Sequence, residues 1–332
     1  MATVFVTGAT GHIGANLVRS LLERGEAVRA LVRTPGDRAL VGVGPGLEEV
    51  RGDLRDVTSL RHAMAGCDRV YHLAALVSLR PGARREMFEV NVQGTKHVMD
   101  ACLAEGVARV VHCSTFGAVG PSGDGSPSDE TCAVDAFAAP LDYDLSKVLA
   151  ELEVHRACAN GLDAVIVNPS GVVGPWDWKP SSVGQTVIDF ARRRIPAYVA
   201  GAFELVAMRD VVDGLQLAME RGRSGQRYIL SGERLTVDAL LDELARITAA
   251  PRPRVRLSPR VMLPVAHVSS LVMRRFFPRT PPRFTPGIIK LLQDGRRATT
   301  QKAQRELGYR PTSVLAALRE QYDWFRARDI IR

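Results

Sequence analysis

Near the middle of the 332-residue chain stand a tyrosine and a lysine four residues apart, Tyr143 and Lys147 in the stretch YDLSK. Residues at this spacing face the same side of a helix. A phenol loses its proton near about 10, and an ammonium fixed close by stabilises the anion, which draws the phenol toward acid–base work near neutral pH. The spacing alone is ordinary on solvated helices, so its meaning comes from a second constellation upstream. TGATGHIGANLV places Gly8, Gly11 and Gly14 in a G-x-x-G-x-x-G pattern between a predicted strand, TVFVTG, and a predicted helix, ANLVRSLLERG. Gly8 permits a tight turn, and Gly11 lets backbone N–H groups approach a pyrophosphate. Gly14 lets the helix pack on the strand with its N-terminus facing the anion. Thr10, His12 and Ile13 share that loop and are expected beside the cofactor.

The end of the second strand bears on which cofactor. A free ribose usually meets an acid there, but the strand ends LVR and puts Arg33 in that place, with Arg38 nearby. A guanidinium can accept a 2′-phosphate, so NADP(H) is favoured over NAD(H), while Asp37 keeps NAD as the lesser reading. Asp53, with Leu54 beside it, ends the third strand and can accept from an adenine amino group. Its competing role is to cap the next helix, which Asp56 or Thr58 could do instead.

Elements that can hold these groups follow in regular order. Strands at TVFVTG, AVRALVR, LEEVRGDL, DRVYHLAALV, RVVHCST and LDAVIVNPSGVVGP alternate with helices, the last two at EVNVQGTKHVMDACLAEGV and YDLSKVLAELEVHRACANG. This rhythm predicts an α/β protein of the Rossmann kind, a doubly wound parallel sheet covered on both faces. The second half changes texture, with helices at VGQTVIDFARRR and VDALLDELARITAA, Pro- and Arg-rich loops, and a short strand at RYILSG. It reads as a smaller, mostly helical C-terminal substrate lobe. The expected division is a dinucleotide-binding domain over 1–168, rejoined by about 205–220, and a lobe over 169–204 and 221–332.

Composition narrows the classes further. Hydrophobic residues make up 46% and charged residues 24%, as in an ordinary globular protein with a substantial core. The five cysteines form no C-x-x-C pair, which argues against zinc and against a disulfide framework and fits a reducing cytoplasm. The start, MATVFVTGAT, has no basic region followed by an apolar one, so no signal peptide is expected. Net charge is +8 with arginine concentrated in the last third, yet no nucleic-acid motif accompanies it. The apolar run VMLPVAHVSSLVM at 261–273 is too short to span a bilayer and contains Pro264. Lid, membrane-surface contact and core are its three readings, and lid or core is favoured.

The glycine spacing, GDL at 52–54, HLAA at 72–75, NVQGT at 91–95 and YDLSK together resemble the extended short-chain dehydrogenase/reductase family over nearly the full length. NPSGVVGP at 168–175 and VRALVR are similar to its dihydroflavonol-reductase-like branch, within the NAD-dependent epimerase/dehydratase superfamily. The resemblance implies that Tyr143 exchanges a proton with the substrate oxygen, and that Lys147 bonds the nicotinamide ribose and favours the tyrosinate. It implies a hydroxyl orienting the carbonyl, Thr115 where serine is commoner, or Ser114 if the register slips by one. Leu73, Ala74 and Ala75 would pack beside the adenosine half, and Pro169 and Val172 against the nicotinamide. Asn91 would tie helix to sheet.

Three readings of function follow. The leading one is NADP-dependent reduction of a ketone or aldehyde on a small, fairly apolar molecule. The second is a nucleotide-sugar epimerase or dehydratase, for which Arg192, Arg193 and Arg194 are the available cations. The third is a non-catalytic NADP(H) sensor, against which YDLSK argues. His72, His97 and His112 are expected to be packed histidines rather than metal ligands. Trp176, Trp178 and Lys179 either wall the substrate pocket or pack a loop. Phe203, Met208 and Arg209 are further candidates for the pocket. Met87 and Phe88 would serve a homodimer, a family habit.

Overall fold

The computed structural model describes residues 3–78, 80, 82–135, 141–276 and 286–331, apart from the side chains of 270, 272–276, 288, 291 and 294. Short runs rich in β-branched residues form the main sheet. Its strands are β1 (Thr3–Thr7), β2 (Ala27–Val32), β3 (Leu47–Arg51), β4 (Arg69–His72), β5 (Arg109–Cys113) and β6 (Ala164–Pro169). The second half contributes β7 (Gly171–Val173), β8 (Ala197–Val199), β9 (Ala202–Ala207), β10 (Arg227–Leu230), β11 (Glu233–Thr236) and β12 (Val255–Leu257). The order across the main sheet is β10-β6-β5-β4-β1-β2-β3, with every neighbouring pair parallel. The chain reverses its direction of winding between β1 and β4, and such a switch opens a crevice at the carboxyl ends of the strands.

Helices cover both faces. They are α1 (His12–Glu23), α2 (Val57–Met64), α3 (Arg84–Phe88), α4 (Gly94–Ala104) and α5 (Asp142–Ala159). Then come α6 (Ser182–Ala191), α7 (Met208–Arg221), α8 (Val237–Thr248), α9 (Pro259–Phe276), α10 (Pro286–Asp294), α11 (Gln301–Leu307) and α12 (Val314–Ala327). The single long helix expected over EVNVQGTKHVMDACLAEGV is interrupted, because Glu89–Gln93 winds as a π-turn between α3 and α4. That turn brings Asn91 inward, and π-turns often mark functional sites.

Three large apolar cores result. One packs α1 and α7 on the sheet, and another packs α2, α4 and α5 on its opposite face. A third joins α6, α8, α9 and α12 around β9. α7, in the segment of about 205–220, packs on the sheet. The sheet also takes in β10, and α11 packs with it through Ala303 and Leu307, so these parts of 221–332 lie with the sheet rather than the lobe. No helix among the described residues is long and apolar enough to cross a membrane.

Candidate active site

The turn after β1 is shaped by contacts that leave no room for side chains. Gly8 has φ +73°, and a Cβ there would lie 2.6 Å from the Ala74 nitrogen. A Cβ on Gly14 would lie 2.1 Å from the Gly8 carbonyl oxygen, so the loop after β4 and the start of α1 both press on this turn. Gly11 occupies the N-cap position of α1, and no side chain caps that end. The first N–H groups of a twelve-residue helix are therefore left to an outside acceptor. These residues fit a dinucleotide pyrophosphate.

Two members of the expected cofactor set are otherwise engaged. The His12 ring donates through Nε2 to the carbonyl oxygens of Gly174 and Pro175, each at 3.0 Å. Arg38 donates to the Trp178 carbonyl at 2.7 Å. Both side chains brace the loop after β7. Arg33 is exposed and has no hydrogen-bond partner among the described residues. It lies close enough to Asp53 to help lower that carboxyl, which is held at about 2, chiefly by hydrogen bonds from Arg55. Asp53 does not cap the next helix; Asp56 does, accepting from the backbone N–H groups of Thr58 and Ser59. Leu54 is buried among core side chains, and Pro169 closes the buried strand β6. Leu73 and Ala74 are partly exposed beside the glycine turn, Ala75 is exposed, and Val172 is partly buried on β7. Thr10 is partly exposed in the turn itself, and Ile13 is partly exposed at the start of α1.

At the carboxyl ends of β5 and β6 the site becomes deeply buried. Lys147 is 1% exposed, and its ammonium donates to the Cys113 carbonyl at 2.7 Å and to His112 Nε2 at 3.3 Å. Burial pulls its pKa down to about 8, against the opposing pull of Cys113 and Glu151. An ammonium has three N–H donors, so one remains. Since Lys147 donates to Nε2, the His112 proton sits on Nδ1, which is buried without a partner. Burial and the Lys147 charge hold His112 well below its ordinary range.

His72, its ring tilted against that of His112 at 5.0 Å between centroids, bridges Thr7 at 2.7 Å and Thr95 at 2.9 Å, and burial takes it to about 3. His97 bonds the Leu54 carbonyl. All three histidines are thus packed or hydrogen-bonded, and among the described residues no three His, Cys, Asp or Glu side chains gather as a metal would require.

Tyr143 lies one turn before Lys147 on α5 and is partly exposed. The expected lowering of its phenol by Lys147 is not found in the chain alone. Burial, with Cys113 and Asp144 nearby, moves it upward, while Lys147 turns to Cys113 and His112. Thr115 is partly exposed, and its hydroxyl accepts from the Gly117 N–H at 3.2 Å, leaving its own proton free. Ser114 is 5% exposed with its hydroxyl sealed and unpartnered. Asn168 donates to the Thr115 carbonyl at 3.0 Å and to Glu151 at 2.7 Å, which steadies this strand end. Asn91 grips both backbone groups of Leu76 and donates to Ser146, whose hydroxyl bonds the Tyr143 carbonyl.

Two buried carboxylates here, Asp144 and Asp177, had no sequence signal. Asp144 is 4% exposed beside Gly117, and burial lifts its carboxyl to about 6 despite Arg296. Asp177 is fully buried, accepting from the Ser181 backbone and hydroxyl and from Gln321. Trp176 and Trp178 pack on Trp324, at 5.9 and 4.9 Å between ring centroids, with the Arg19 guanidinium 3.6 Å above Trp176. Lys179 pairs with Asp37. Phe203 packs partly buried in the lobe, Met208 is buried under the sheet-side core, and exposed Arg209 pairs with Glu320. Met87 is 1% exposed inside this chain.

A glycine turn at the switch point of a doubly wound sheet, with tyrosine and lysine on a helix beside it, defines a dinucleotide-dependent enzyme. Residues 4–231 match the model of the NAD dependent epimerase/dehydratase family. The chain belongs to this family, within the extended short-chain dehydrogenases/reductases, and is an NAD(P)-dependent oxidoreductase. It is 48% identical to sterol demethylase protein B of Methylococcus capsulatus over 99% of this chain and 100% of that one. It is 31% identical to a 4-hydroxy-2-methyl-3-oxo-4-farnesyl-3,4-dihydroquinoline-1-oxide ketoreductase of Stigmatella aurantiaca, covering 92% and 91% of the two chains. Among solved structures it resembles dTDP-glucose 4,6-dehydratase DesIV of Streptomyces venezuelae with NAD and TYD bound. That likeness has a TM-score of 0.79 at 25% identity over 99% of both chains.

Proposed function

We propose that the protein reduces a ketone or aldehyde on an apolar, sterol-like or isoprenoid-bearing molecule, using NADP(H). The observation that carries this reading is the buried Lys147, one turn from Tyr143 and fixed at the end of β5 with one N–H still free. When bound, the dinucleotide supplies the hydride that reaches the carbonyl carbon. Tyr143 delivers a proton to the carbonyl oxygen, and the free proton of Thr115 bonds that oxygen as negative charge develops. Lys147 directs its remaining N–H toward the ribose and keeps positive charge near the phenol. Gly8, Gly11 and Gly14 seat the pyrophosphate, with Leu73, Ala74 and Ala75 along the adenosine and Pro169 and Val172 near the nicotinamide. Arg33 takes the 2′-phosphate, since Arg38 is held by Trp178.

The substrate lobe of 169–204 and the later helices shapes the pocket mouth. The sterol and farnesyl groups in the relatives' names support an apolar substrate. The sugar-nucleotide reading has less support from this chain. Arg192, Arg193 and Arg194 are exposed at the end of α6, with Arg192 bonded to the Ile330 carbonyl.

The test is to incubate the purified protein with NADPH deuterated at the nicotinamide C4 and a panel of steroid and isoprenoid ketones. Deuterium on the product carbinol carbon is the expected result. A nicotinamide that co-purifies and does not exchange, with no net NADPH consumption, would support the epimerase instead.

A further inference from the structure

One segment of the chain is built unlike the rest. Between residues 251 and 293 stand eight arginines and one lysine and no aspartate or glutamate, so this segment carries +9 where the whole chain carries +8. Arg252 and Arg256 pair with Asp238 and Asp242 on α8. Arg254 and Arg260 are exposed with no partner among the described residues.

Within the segment, α9 has apolar side chains on opposite faces. Met262 and Ala266 are buried in the lobe core, with Leu263 packed beside them. Val261, Val265, Val268 and Leu271 are 62%, 51%, 63% and 67% exposed. At about 100° per residue these four form one stripe along the face turned away from that core. Among the described residues no other element has more than one large apolar side chain so exposed. The run at 261–273 is therefore core on one side and bare on the other, and its continuation at 277–285 lies outside the described residues.

Aliphatic side chains in a stripe, within a segment that carries arginines and no acids, match the interface of a bilayer bearing anionic lipids. A second copy of the chain fits poorly, because like-charged segments would face each other. We propose that α9 lies flat on an anionic phospholipid surface, its stripe sunk among the upper acyl chains and Arg254 and Arg260 against headgroup phosphates. The lobe that reads as the substrate lobe would then sit where apolar carbonyl compounds dissolve. This inference does not rest on the catalytic reading.

Vesicle co-sedimentation of the full chain tests it, using phosphatidylcholine alone and phosphatidylcholine with roughly one-third phosphatidylglycerol. Binding to the anionic vesicles should exceed binding to neutral ones by about tenfold or more and weaken as salt is raised. The double variant Val265→Glu/Val268→Glu, altered only at exposed positions, should lose most of that binding while keeping its NADPH affinity and melting temperature. Arg254→Gln/Arg260→Gln should lose a smaller part of it. Equal sedimentation of wild type and the glutamate variant, or no preference for anionic vesicles, overturns the proposal. So does a concentration-dependent dimer in sedimentation velocity that the glutamate substitutions abolish, since the stripe would then belong to a second copy.

Discussion

The two sides of the crevice treat charge in opposite ways. At the ends of β2 and β3, Arg33 is exposed, and Asp53 is paired with an Arg55 that is itself half-exposed. At the ends of β4 to β6, Lys147, His72, His112 and Asp144 are all at least 95% buried. Exposed charges stay ionised and recognise an anion at modest gain, because water screens them. Buried ones are shifted in pKa by desolvation and field, which suits groups that must exchange protons. The contrast separates a region suited to selecting a cofactor from one suited to doing chemistry.

Substitutions on the buried side should have the largest effects. Lys147→Met should lower kcat/KM by about 10²–10⁴-fold, read by NADPH oxidation at saturating cofactor. A loss no greater than that of a surface lysine variant would erase the contrast. Thr115→Val should cost about 10²–10³-fold in kcat, the typical effect of removing one donor to a developing oxyanion, whereas Thr115→Ser should retain most of it. Ser114→Ala serves as the comparison and should change turnover only slightly, since that hydroxyl is sealed from the crevice.

On the exposed side effects should be smaller and confined to binding. Arg33→Ala should weaken NADPH binding by about tenfold in a fluorescence titration, leaving NADH binding and kcat nearly unchanged, as expected for one exposed charge-assisted contact. Equal losses for both cofactors would remove Arg33 from the 2′-phosphate.

The smallest effect concerns pH. Lys147 is depressed to about 8, so the ammonium persists below that pH and is lost above it, and activity should fall on the alkaline side. His112 Nε2 accepts from the ammonium, so His112→Phe removes a group that favours the charged form. The alkaline limb of kcat/KM should then move to lower pH by somewhat less than about one unit. An unmoved limb with unchanged kcat would show that His112 only fills space.

Much of this was legible in the residues themselves. Apolar periods and glycine punctuation predict the parallel sheet, and the glycine turn, Tyr143, Lys147 and Thr115 sit at strand ends or helix faces that local pattern can place. Other parts depend on contacts that local pattern does not encode. The buried residues of α5 include Asp144, Ser146, Lys147 and Glu151 alongside Ala150, Val154 and Ala157, so an apolar period alone does not mark the N-terminal half of its inner face. His12 and Arg38 reach partners 163 and 140 residues away, and only the folded chain shows that their side chains are engaged. The run at 261–273 reads alike whether it covers a pocket, fills a core or meets a surface. Exposure separates those cases, and sequence does not record it.

The central claim is that Tyr143 performs the proton step beside a dinucleotide seated on the glycine turn. Its most direct test is a single-turnover experiment on Tyr143→Phe loaded with NADPH and mixed with an accepted ketone. The account predicts an unchanged NADPH dissociation constant and a decay of NADPH absorbance slowed by about 10²–10⁴-fold relative to wild type. Decay at the wild-type rate would contradict it.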